Sequence, residues 1–355
     1  MDDAALDDLR AFLPPLLRAL EGLGFVARRL GPTQLAQVLA IVAEPHAALG
    51  AARPRLDGWP DELAPVRERL EAAADEALAA YAELGEAEDM RGLYRALRHA
   101  PRAQEALYPL AEGLPPVSRY FLTPSRRDDP QLMARLAEAP ARDDVGVFHV
   151  DNEPGARGGF SLFVPETYDP GEAHPVVFAL HGGAGSGRSF LWSWLRDARA
   201  AGAILVAPTA VGETWALQGQ DVDSPNLERI LGLVEARWNV DPKRRLLTGM
   251  SDGGTYSYVS GLVEGSPFTH LAPACAAFHP MLTAFAGASR MQGLPIHLTH
   301  GVQDWMFDVD MAREAKSALA AAGARVTYRE IEDLSHCYPS EVNPDVLAWM
   351  DATAG

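Results

Sequence analysis

One serine in the second half of the chain stands where its side chain could act as a nucleophile. Ser251 occupies the centre of Gly249-Met250-Ser251-Asp252-Gly253, at the end of the apolar run "RRLLTGM". A serine hydroxyl is a poor nucleophile alone, and it needs a base within hydrogen-bond reach and a carboxylate that orients that base. The pattern therefore raises the question of which histidine and which acid could serve Ser251.

The glycines on both sides of Ser251 have a physical purpose in such a pattern. Glycine weakens strands and helices, and it is tolerated where the backbone bends sharply or where another group approaches closely. The sequence G-x-S-x-G between a strand and a helix is typical of a nucleophile elbow, in which the serine side chain stands clear of a sheet. We therefore expect Ser251 to lie in a tight turn between a strand and a helix.

Strand and helix patterns alternate from about residue 145 onwards. Continuous apolar runs separated by helices predict a mostly parallel sheet covered on both faces, and ligands of such sheets bind at the carboxyl ends of the strands. Asp304 and His336 each follow one of these strands, as Ser251 does. The pattern predicts helices at Ser189–Ala201, Asn226–Trp238, after Ser251 and at Val309–Ala321. It predicts eight strands: "VGVFHV", "GFSLFVP", "HPVVFALHG", "AILVAP", "RRLLTGM", "LAPACAAFHP", "LPIHLTHG" and "RVTYREIED".

The first part of the chain has a different pattern. Residues 1–140 carry apolar residues at three- and four-residue steps, which predicts an all-helical domain, and prolines such as Pro14-Pro15 and Pro115-Pro116 separate its segments. Residues 141–355 form the second predicted domain. The apolar stripes of the helices must be buried, so the first domain could cap an active site or mediate a homo-oligomer.

Composition excludes several classes of partner. The formal net charge is −17, which argues against nucleic acid and anionic membranes as partners. The sequence contains no apolar run that could span a bilayer, and the acidic start "MDDAALDD" lacks the positive charge of a secretory signal. Two cysteines form no disulfide framework, so we expect a reducing cytoplasm.

The motifs together resemble those of the α/β-hydrolases. The chain from about residue 145 is most similar to phospholipase/carboxylesterase-like and polyhydroxyalkanoate-depolymerase-like esterases, through "LFVPETYDP", "VVFALHGGAGSG", "VDPKRRLLTGMSDGG", "LTHGVQDWMFDVD" and "EIEDLSHCYPSE". The resemblance implies an α/β-hydrolase fold with a mostly parallel eight-stranded sheet, and a small-molecule carboxylic ester as substrate. The sequence contains no His-Glu-x-x-His motif and no cluster of cysteines and histidines, so we expect no catalytic metal and no cofactor.

The resemblance also assigns roles to single residues. It makes Ser251 the nucleophile, Asp304 the acid and His336 the base, and it makes the backbone N–H groups of Gly183 and Asp252 the oxyanion hole. Some alternatives remain open. Asp308 and Asp310 compete with Asp304, and the histidines His279, His297 and His300 compete with His336.

Two further residues have an open role. The Asp252 carboxylate could cap the following helix. Trp215, in the long loop after the strand "AILVAP", is expected to line the substrate pocket.

The sequence also leaves room for functions other than ester hydrolysis. An amidase or peptidase would use the same residues on the same fold. The stretch Gly182–Ser189 fits a P-loop pattern with Arg188 in place of lysine, which would indicate nucleotide binding. Arginine does not replace the compact P-loop lysine, and this interpretation leaves Ser251, Asp304 and His336 unexplained. A binding scaffold without activity is a third possibility, because a fold does not fix a function.

Overall fold

The computed structural model describes residues 3–31 and 35–354, and these residues form two compact units. The first unit extends to Met133 and the second begins at Ala134, so the division falls a few residues before the boundary at residue 140 proposed from sequence. The helix Pro130–Glu138 (α8) crosses this division. The boundary itself stays a prediction, since helical composition continues on both sides of it.

The described elements of the first unit are all helical, as the sequence predicted. Short 3-10 turns at Arg53–Leu56, Asp61–Leu63, Tyr108–Ala111 and Pro124–Arg126 join or extend the helices. The α-helices before α8 are α1 (Asp3–Arg28), α2 (Leu35–Ile41), α3 (Ala43–Ala52), α4 (Ala64–Glu86), α5 (Met90–Leu97), α6 (His99–Leu107) and α7 (Pro115–Tyr120).

The prediction that Pro14 and Pro15 interrupt the first helix was wrong. Both prolines lie inside α1, which continues for another three turns. A proline in a helix interior removes a backbone hydrogen bond and strains the preceding turn, at a cost of about 3 kcal/mol. Burial of one face of α1, including Phe12 and Leu16, opposes that cost.

The aromatic residues near the end of the first unit pack within that unit. Tyr120 and Phe121 are buried and contact each other edge to face, and Phe121 contacts Tyr108 in the same manner. Such contacts stabilise a helical core. The prediction that the first unit covers an active site, or that it mediates oligomerisation, stays a prediction.

The second unit contains one eight-stranded sheet, as predicted. Its strand order is β1-β2-β4-β3-β5-β6-β7-β8; β2 runs antiparallel to β1 and β4, and the other pairs are parallel. The parallel strands therefore end at a common edge. The strands are β1 (Gly146–Val150), β2 (Phe160–Val164), β3 (His174–Leu180), β4 (Ile204–Pro208), β5 (Val240–Met250), β6 (His270–Ala274), β7 (Pro295–Gly301) and β8 (Arg325–Ile331).

Helices follow most of the strands of this sheet. The predicted helix at Val309–Ala321 has the same bounds in the structure. The remaining α-helices are α9 (Gly187–Phe190), α10 (Leu195–Ala201), α11 (Asp223–Glu235), α12 (Asp252–Gly261), α13 (Met281–Phe285), α14 (Ala288–Met291), α15 (Val309–Ala321) and α16 (Asn343–Thr353), with 3-10 turns at Leu191–Ser193 and Ser340–Val342.

The helix predicted as one segment from Ser189 to Ala201 is instead broken. It consists of α9, a 3-10 turn and α10, with a break at Trp194. A tertiary contact satisfies the backbone at this break, because the Asn343 side chain donates a hydrogen bond to the carbonyl oxygen of Ser193 at 2.9 Å. A distant residue thus takes the place of a helical donor.

The same asparagine contacts a buried acid. Asn343 Nδ2 also donates to Asp197 Oδ2 at 2.9 Å, and both side chains are buried. Burial raises the pKa of Asp197 to about 7, although the hydrogen bond from Asn343 acts in the opposite direction. The folded chain therefore keeps this proton up to near neutral pH, whereas the unfolded chain releases it near pH 4.

This difference predicts a pH-dependent stability. The folded state binds the proton of Asp197 more tightly than the unfolded state does. The contribution of Asp197 to the free energy of unfolding should therefore be highest below about pH 4 and fall as the pH rises towards about 7. Asp197→Asn should remove this slope and stabilise the second unit at pH 8 by at most about 4 kcal/mol. The melting temperature of parent and variant at pH 5 and pH 8, followed by tryptophan fluorescence, tests this, since all tryptophans except Trp59 lie in the second unit. The exposed Asp143→Asn serves as a control, and an equal slope in parent and Asp197→Asn would contradict the prediction.

Candidate active site

Ser251 lies in the sharp turn between β5 and α12. Its backbone has φ +56° and ψ −121°, which is strained for a residue with a side chain, and its N–H donates to the carbonyl oxygen of Ala274. The flanking glycines permit this turn. A Cβ at Gly249 would lie 2.6 Å from the carbonyl carbon of Gly253, and a Cβ at Gly253 would overlap the carbonyl oxygens of Leu180 and His181. The turn is therefore possible only with glycine at both positions.

The structure brings Ser251, His336 and Asp304 together. His336 Nε2 lies 3.0 Å from Ser251 Oγ, and His336 Nδ1 lies 2.9 and 3.1 Å from the two carboxylate oxygens of Asp304. All three side chains are buried. The chain of hydrogen bonds thus leads from a hydroxyl through an imidazole to a carboxylate, which is the geometry that activates a serine.

Asp304 is held as an anion by several donors. Its Oδ1 accepts hydrogen bonds from the backbone N–H groups of Met306 and Phe307, both at 2.9 Å. Burial alone would raise the pKa of Asp304, but the hydrogen bonds from His336 and from the N–H of Phe307 hold that pKa below its usual value. The carboxylate therefore stays charged beside the imidazole.

The two competing aspartates lie elsewhere. Asp308 caps α15 by accepting a hydrogen bond from the backbone N–H of Asp310, and Asp310 pairs with Arg313 on the surface. Among the competing histidines, His300 Nε2 lies 2.9 Å from the carbonyl oxygen of Phe307, a distance at which it can donate to that oxygen. These contacts have structural purposes, and the geometry favours Asp304 as the acid.

Two aromatic residues beside His336 were not singled out in the sequence. The rings of Trp305 and Phe307 meet the His336 ring edge to face, with centroid distances of 6.0 and 5.3 Å. Trp305 is 44% exposed, so its indole lies both beside the imidazole and at the surface. Their position directly after Asp304 could have indicated this contact, because residues that follow the same strand lie at the same edge of the sheet.

Gly183 follows β3, next to the strand that leads to Ser251. The turn around Gly183 is fixed by His181, whose Nδ1 contacts the carbonyl oxygen of Gly182 at 2.6 Å and whose Nε2 accepts from the N–H of Ala210. Burial lowers the pKa of His181 to about 4, so its ring is neutral and has a structural purpose. The N–H of Asp252 opens α12, where a backbone donor has no partner within its own helix.

Trp215 packs in the core of the second unit. Its indole Nε1 donates to the carbonyl oxygen of His181 at 2.7 Å, and its ring stacks on Tyr256 with a centroid distance of 5.3 Å. The side chain is only 3% exposed. These contacts link the loop after β4 to the turn that carries Gly183, and the expected contact of Trp215 with substrate stays a prediction.

The P-loop-like stretch has a structural explanation. Ser186 accepts a hydrogen bond from the N–H of Ser189 at the start of the short helix α9, and Arg188 pairs with Glu153. Arg188 also donates to the carbonyl oxygen of Asn152. The arginine is therefore engaged with the protein, which weakens the nucleotide-binding alternative.

The described residues offer neither a metal site nor a membrane-spanning helix. In the part of the chain that the structure describes, no group of three or more histidine, cysteine or acidic side chains is arranged to hold a metal ion. Across residues 3–31 and 35–354, no helix is both long enough and apolar enough to cross a membrane.

One family model matches part of the second unit. Residues 221–353 match the model of the phospholipase/carboxylesterase family. This stretch contains Ser251, Asp304 and His336. In the structure, the turn of Ser251 follows β5, Asp304 follows β7 and His336 follows β8. This order of serine, acid and histidine along a mostly parallel sheet is the one found in α/β-hydrolases. The second unit has the α/β-hydrolase fold. The predicted fold and the predicted resemblance to phospholipase/carboxylesterase-like proteins are thus confirmed.

Similar proteins include fungal esterases. A probable feruloyl esterase C of Aspergillus terreus is 31% identical over 116 residues, and feruloyl esterase C of Emericella nidulans is 34% identical over 117 residues. Each alignment covers 31% of this chain and 43% of the relative, so the chain spans less than half the length of these relatives. Among solved structures, a ferulic acid esterase is 16% identical with a TM-score of 0.47, covering 58% of this chain and 97% of that chain.

The elbow of this α/β-hydrolase domain generates a prediction about glycine. Gly253→Ala should destabilise the domain by several kcal/mol and abolish the turn, because the new Cβ would overlap main-chain oxygens that cannot move away. Gly232→Ala in α11 is the matched control; it has open space around it and should be neutral or stabilise by about 0.5–1 kcal/mol. Thermal melting of the two variants tests this, and equal melting temperatures would contradict it.

Proposed function

We propose that this protein hydrolyses carboxylic esters through a Ser-His-Asp triad and an acyl-enzyme intermediate. The observation that carries the proposal is the unbroken series of hydrogen bonds from Ser251 Oγ through His336 to Asp304, with Ser251 in a strained turn. Strain at a residue held by its surroundings is typical of functional sites. The match to the phospholipase/carboxylesterase family supports the same activity.

The geometry supports a definite sequence of proton transfers. Ser251 Oγ attacks the ester carbonyl while His336 Nε2 takes its proton, and His336 then gives that proton to the leaving alcohol. Water attacks the acyl-enzyme with His336 again as base, which releases the acid and restores Ser251. Asp304, whose pKa is held below its usual value, stays charged and stabilises the imidazolium that forms in each half of the reaction.

The oxyanion of the tetrahedral intermediate is assigned to the N–H groups of Gly183 and Asp252. Gly183 follows β3, the strand adjacent to β5, and Asp252 follows the nucleophile, so both lie at the same edge of the sheet. Preorganised backbone donors at such an oxygen contribute about 3 kcal/mol each to the stability of the transition state.

Two observations bear on the class of ester that this site would accept. The similar proteins carry the name feruloyl esterase, and here the exposed Trp305 beside His336 offers an aromatic surface next to the reacting atoms. We therefore propose small-molecule esters as substrates, with esters of aromatic acids among them. A panel of p-nitrophenyl esters of rising chain length, methyl ferulate and short peptides tests this, and faster peptide cleavage would favour the amidase or peptidase alternative.

The nucleophile is the first residue to test. Ser251→Ala should remove essentially all esterase activity, by several powers of ten, and leave the folded state intact. A serine-directed organophosphate should label the parent at Ser251 and should not label the variant, as judged by mass spectrometry of the peptides. Residual turnover within tenfold of the parent would contradict the assignment.

The acid is tested against its two neighbours in sequence. Asp304→Asn should lose far more activity than Asp308→Asn or Asp310→Asn, by about 10⁴-fold in kcat, because only Asp304 fixes the tautomer of His336. A chelator such as EDTA should leave the parent rate unchanged. A larger loss at Asp308 would move the acid to that residue, and a rate sensitive to chelator would indicate a metal.

Three further predictions concern the location and the partners of the protein. The cytoplasmic location, the absence of a nucleic-acid partner and the oligomerisation through the N-terminal helices stay predictions. The two cysteines are free and buried, which is compatible with a reducing compartment.

A further inference from the structure

Asp252 places a carboxylate against the turn that carries Gly183. Its Oδ2 accepts a hydrogen bond from Thr214 Oγ1 at 2.6 Å. A Cβ built on Gly183 would lie only 2.8 Å from the same oxygen, so the carboxylate lies against the Cα of Gly183. Glycine at position 183 therefore leaves the space that the Asp252 side chain occupies.

This position matters because the backbone N–H groups of Gly183 and Asp252 are the donors assigned to the oxyanion. A formal negative charge thus lies next to the place where the reaction develops another. Like charges this close in a partly desolvated site repel each other strongly. A neutral side chain at position 252 would stabilise the oxyanion better than a carboxylate does. Ester hydrolysis by itself therefore does not explain the charge of Asp252.

Among residues 3–31 and 35–354, Asp252 has no ion pair, and its one side-chain hydrogen bond is the neutral one from Thr214. Arg157, which contacts the loop of Thr214, donates its hydrogen bonds to the carbonyl oxygens of Gly185, Gly212 and Glu213. The carboxylate is half-buried, and its charge is left to act on whatever binds at the oxyanion hole.

We propose that Asp252 is a specificity-determining residue, whose charge selects acyl groups with a positive charge or a hydrogen-bond donor near the ester carbonyl and rejects acyl groups with a carboxylate there. This inference rests on the proposed ester hydrolysis. It assigns the substrate a chemical class: esters of neutral, hydroxylated or amino-substituted acids, and not the half-esters of dicarboxylic acids. The hydrogen bond from Thr214 fixes the carboxylate in its position.

Three esters with the same leaving group test the charge directly. The p-nitrophenyl esters of valeric acid, of glutaric acid as its mono-ester and of 4-(trimethylammonio)butyric acid differ mainly in the charge of the acyl end. In the parent, kcat/KM should fall from the cationic to the neutral ester and again to the anionic one, by about tenfold at each step. A parent that hydrolyses the anionic ester as fast as the neutral one overturns the inference without any variant.

Two variants separate the charge from the hydrogen bond. Asp252→Asn keeps an acceptor for Thr214 and removes the charge. The ratio of kcat/KM for the anionic ester to that for the neutral ester should therefore rise at least tenfold, and the ratio for the cationic ester to the neutral ester should fall. Thr214→Val removes the hydrogen bond and keeps the charge, so the preference for cationic over anionic esters should persist while kcat falls for all three esters.

A matched control accounts for the charge of the whole protein. Glu213→Gln removes one negative charge from the same loop, on an exposed residue next to Thr214, and should leave both ratios within twofold of the parent. If Asp252→Asn changes the ratios no more than Glu213→Gln while the neutral ester is still hydrolysed, the inference fails and the proposed function stands. If the parent hydrolyses none of the three esters, the proposed function itself fails.

Discussion

The strained turn at Ser251 is the constraint on which the rest of the site depends. A residue with a side chain adopts φ +56° there only because the surrounding backbone leaves no alternative. Helix α12 approaches the end of β3 so closely that Gly253 has no room for a Cβ, and Gly249 has none against Gly253. The close approach directs the serine side chain towards His336 and brings the N–H of Asp252 to the edge where Gly183 lies.

The electrostatics of the site follow from this geometry. Asp304 is buried, and it remains charged because hydrogen bonds from the N–H groups of Met306 and Phe307 and from His336 replace the water it has lost. Met306 and Phe307 lie in the loop after β7 together with Asp304, so a single turn both holds this carboxylate and places Trp305 beside the imidazole of His336. Asp252 is a second carboxylate at this edge, but its neighbour is a neutral hydroxyl.

The loop after β4 connects these features. Asp223 at the start of α11 accepts hydrogen bonds from the backbone N–H groups of Val211 and Ala216, at 2.7 and 2.8 Å, which closes the loop on itself. Trp215 then ties the loop to the carbonyl oxygen of His181, and Thr214 ties it to Asp252. A change in this loop would therefore reach the turn around Gly183 and the residue after Ser251 through two hydrogen bonds.

The sequence by itself determined the elements and the order of the chemical groups. Eight apolar runs predicted eight strands, and the elbow glycines predicted the turn at Ser251, because these features depend on local backbone preference and on burial of apolar residues. Local pattern failed where distant residues decide. It predicted a break at Pro14 that packing overrides, and it missed the break at Trp194, which Asn343 stabilises from the other end of the domain.

Tertiary structure alone decided which residues meet. The family resemblance selected Asp304 as the acid and left Asp308 and Asp310 open as alternatives, and the fold places Asp304 against His336. The contact of Thr214 with Asp252 and that of Trp305 with His336 join side chains 38 and 31 positions apart, which no local pattern encodes. The physical reason is that parallel strands bring their carboxyl ends to one edge, so residues far apart in the chain share one site whose distances and charges depend on packing.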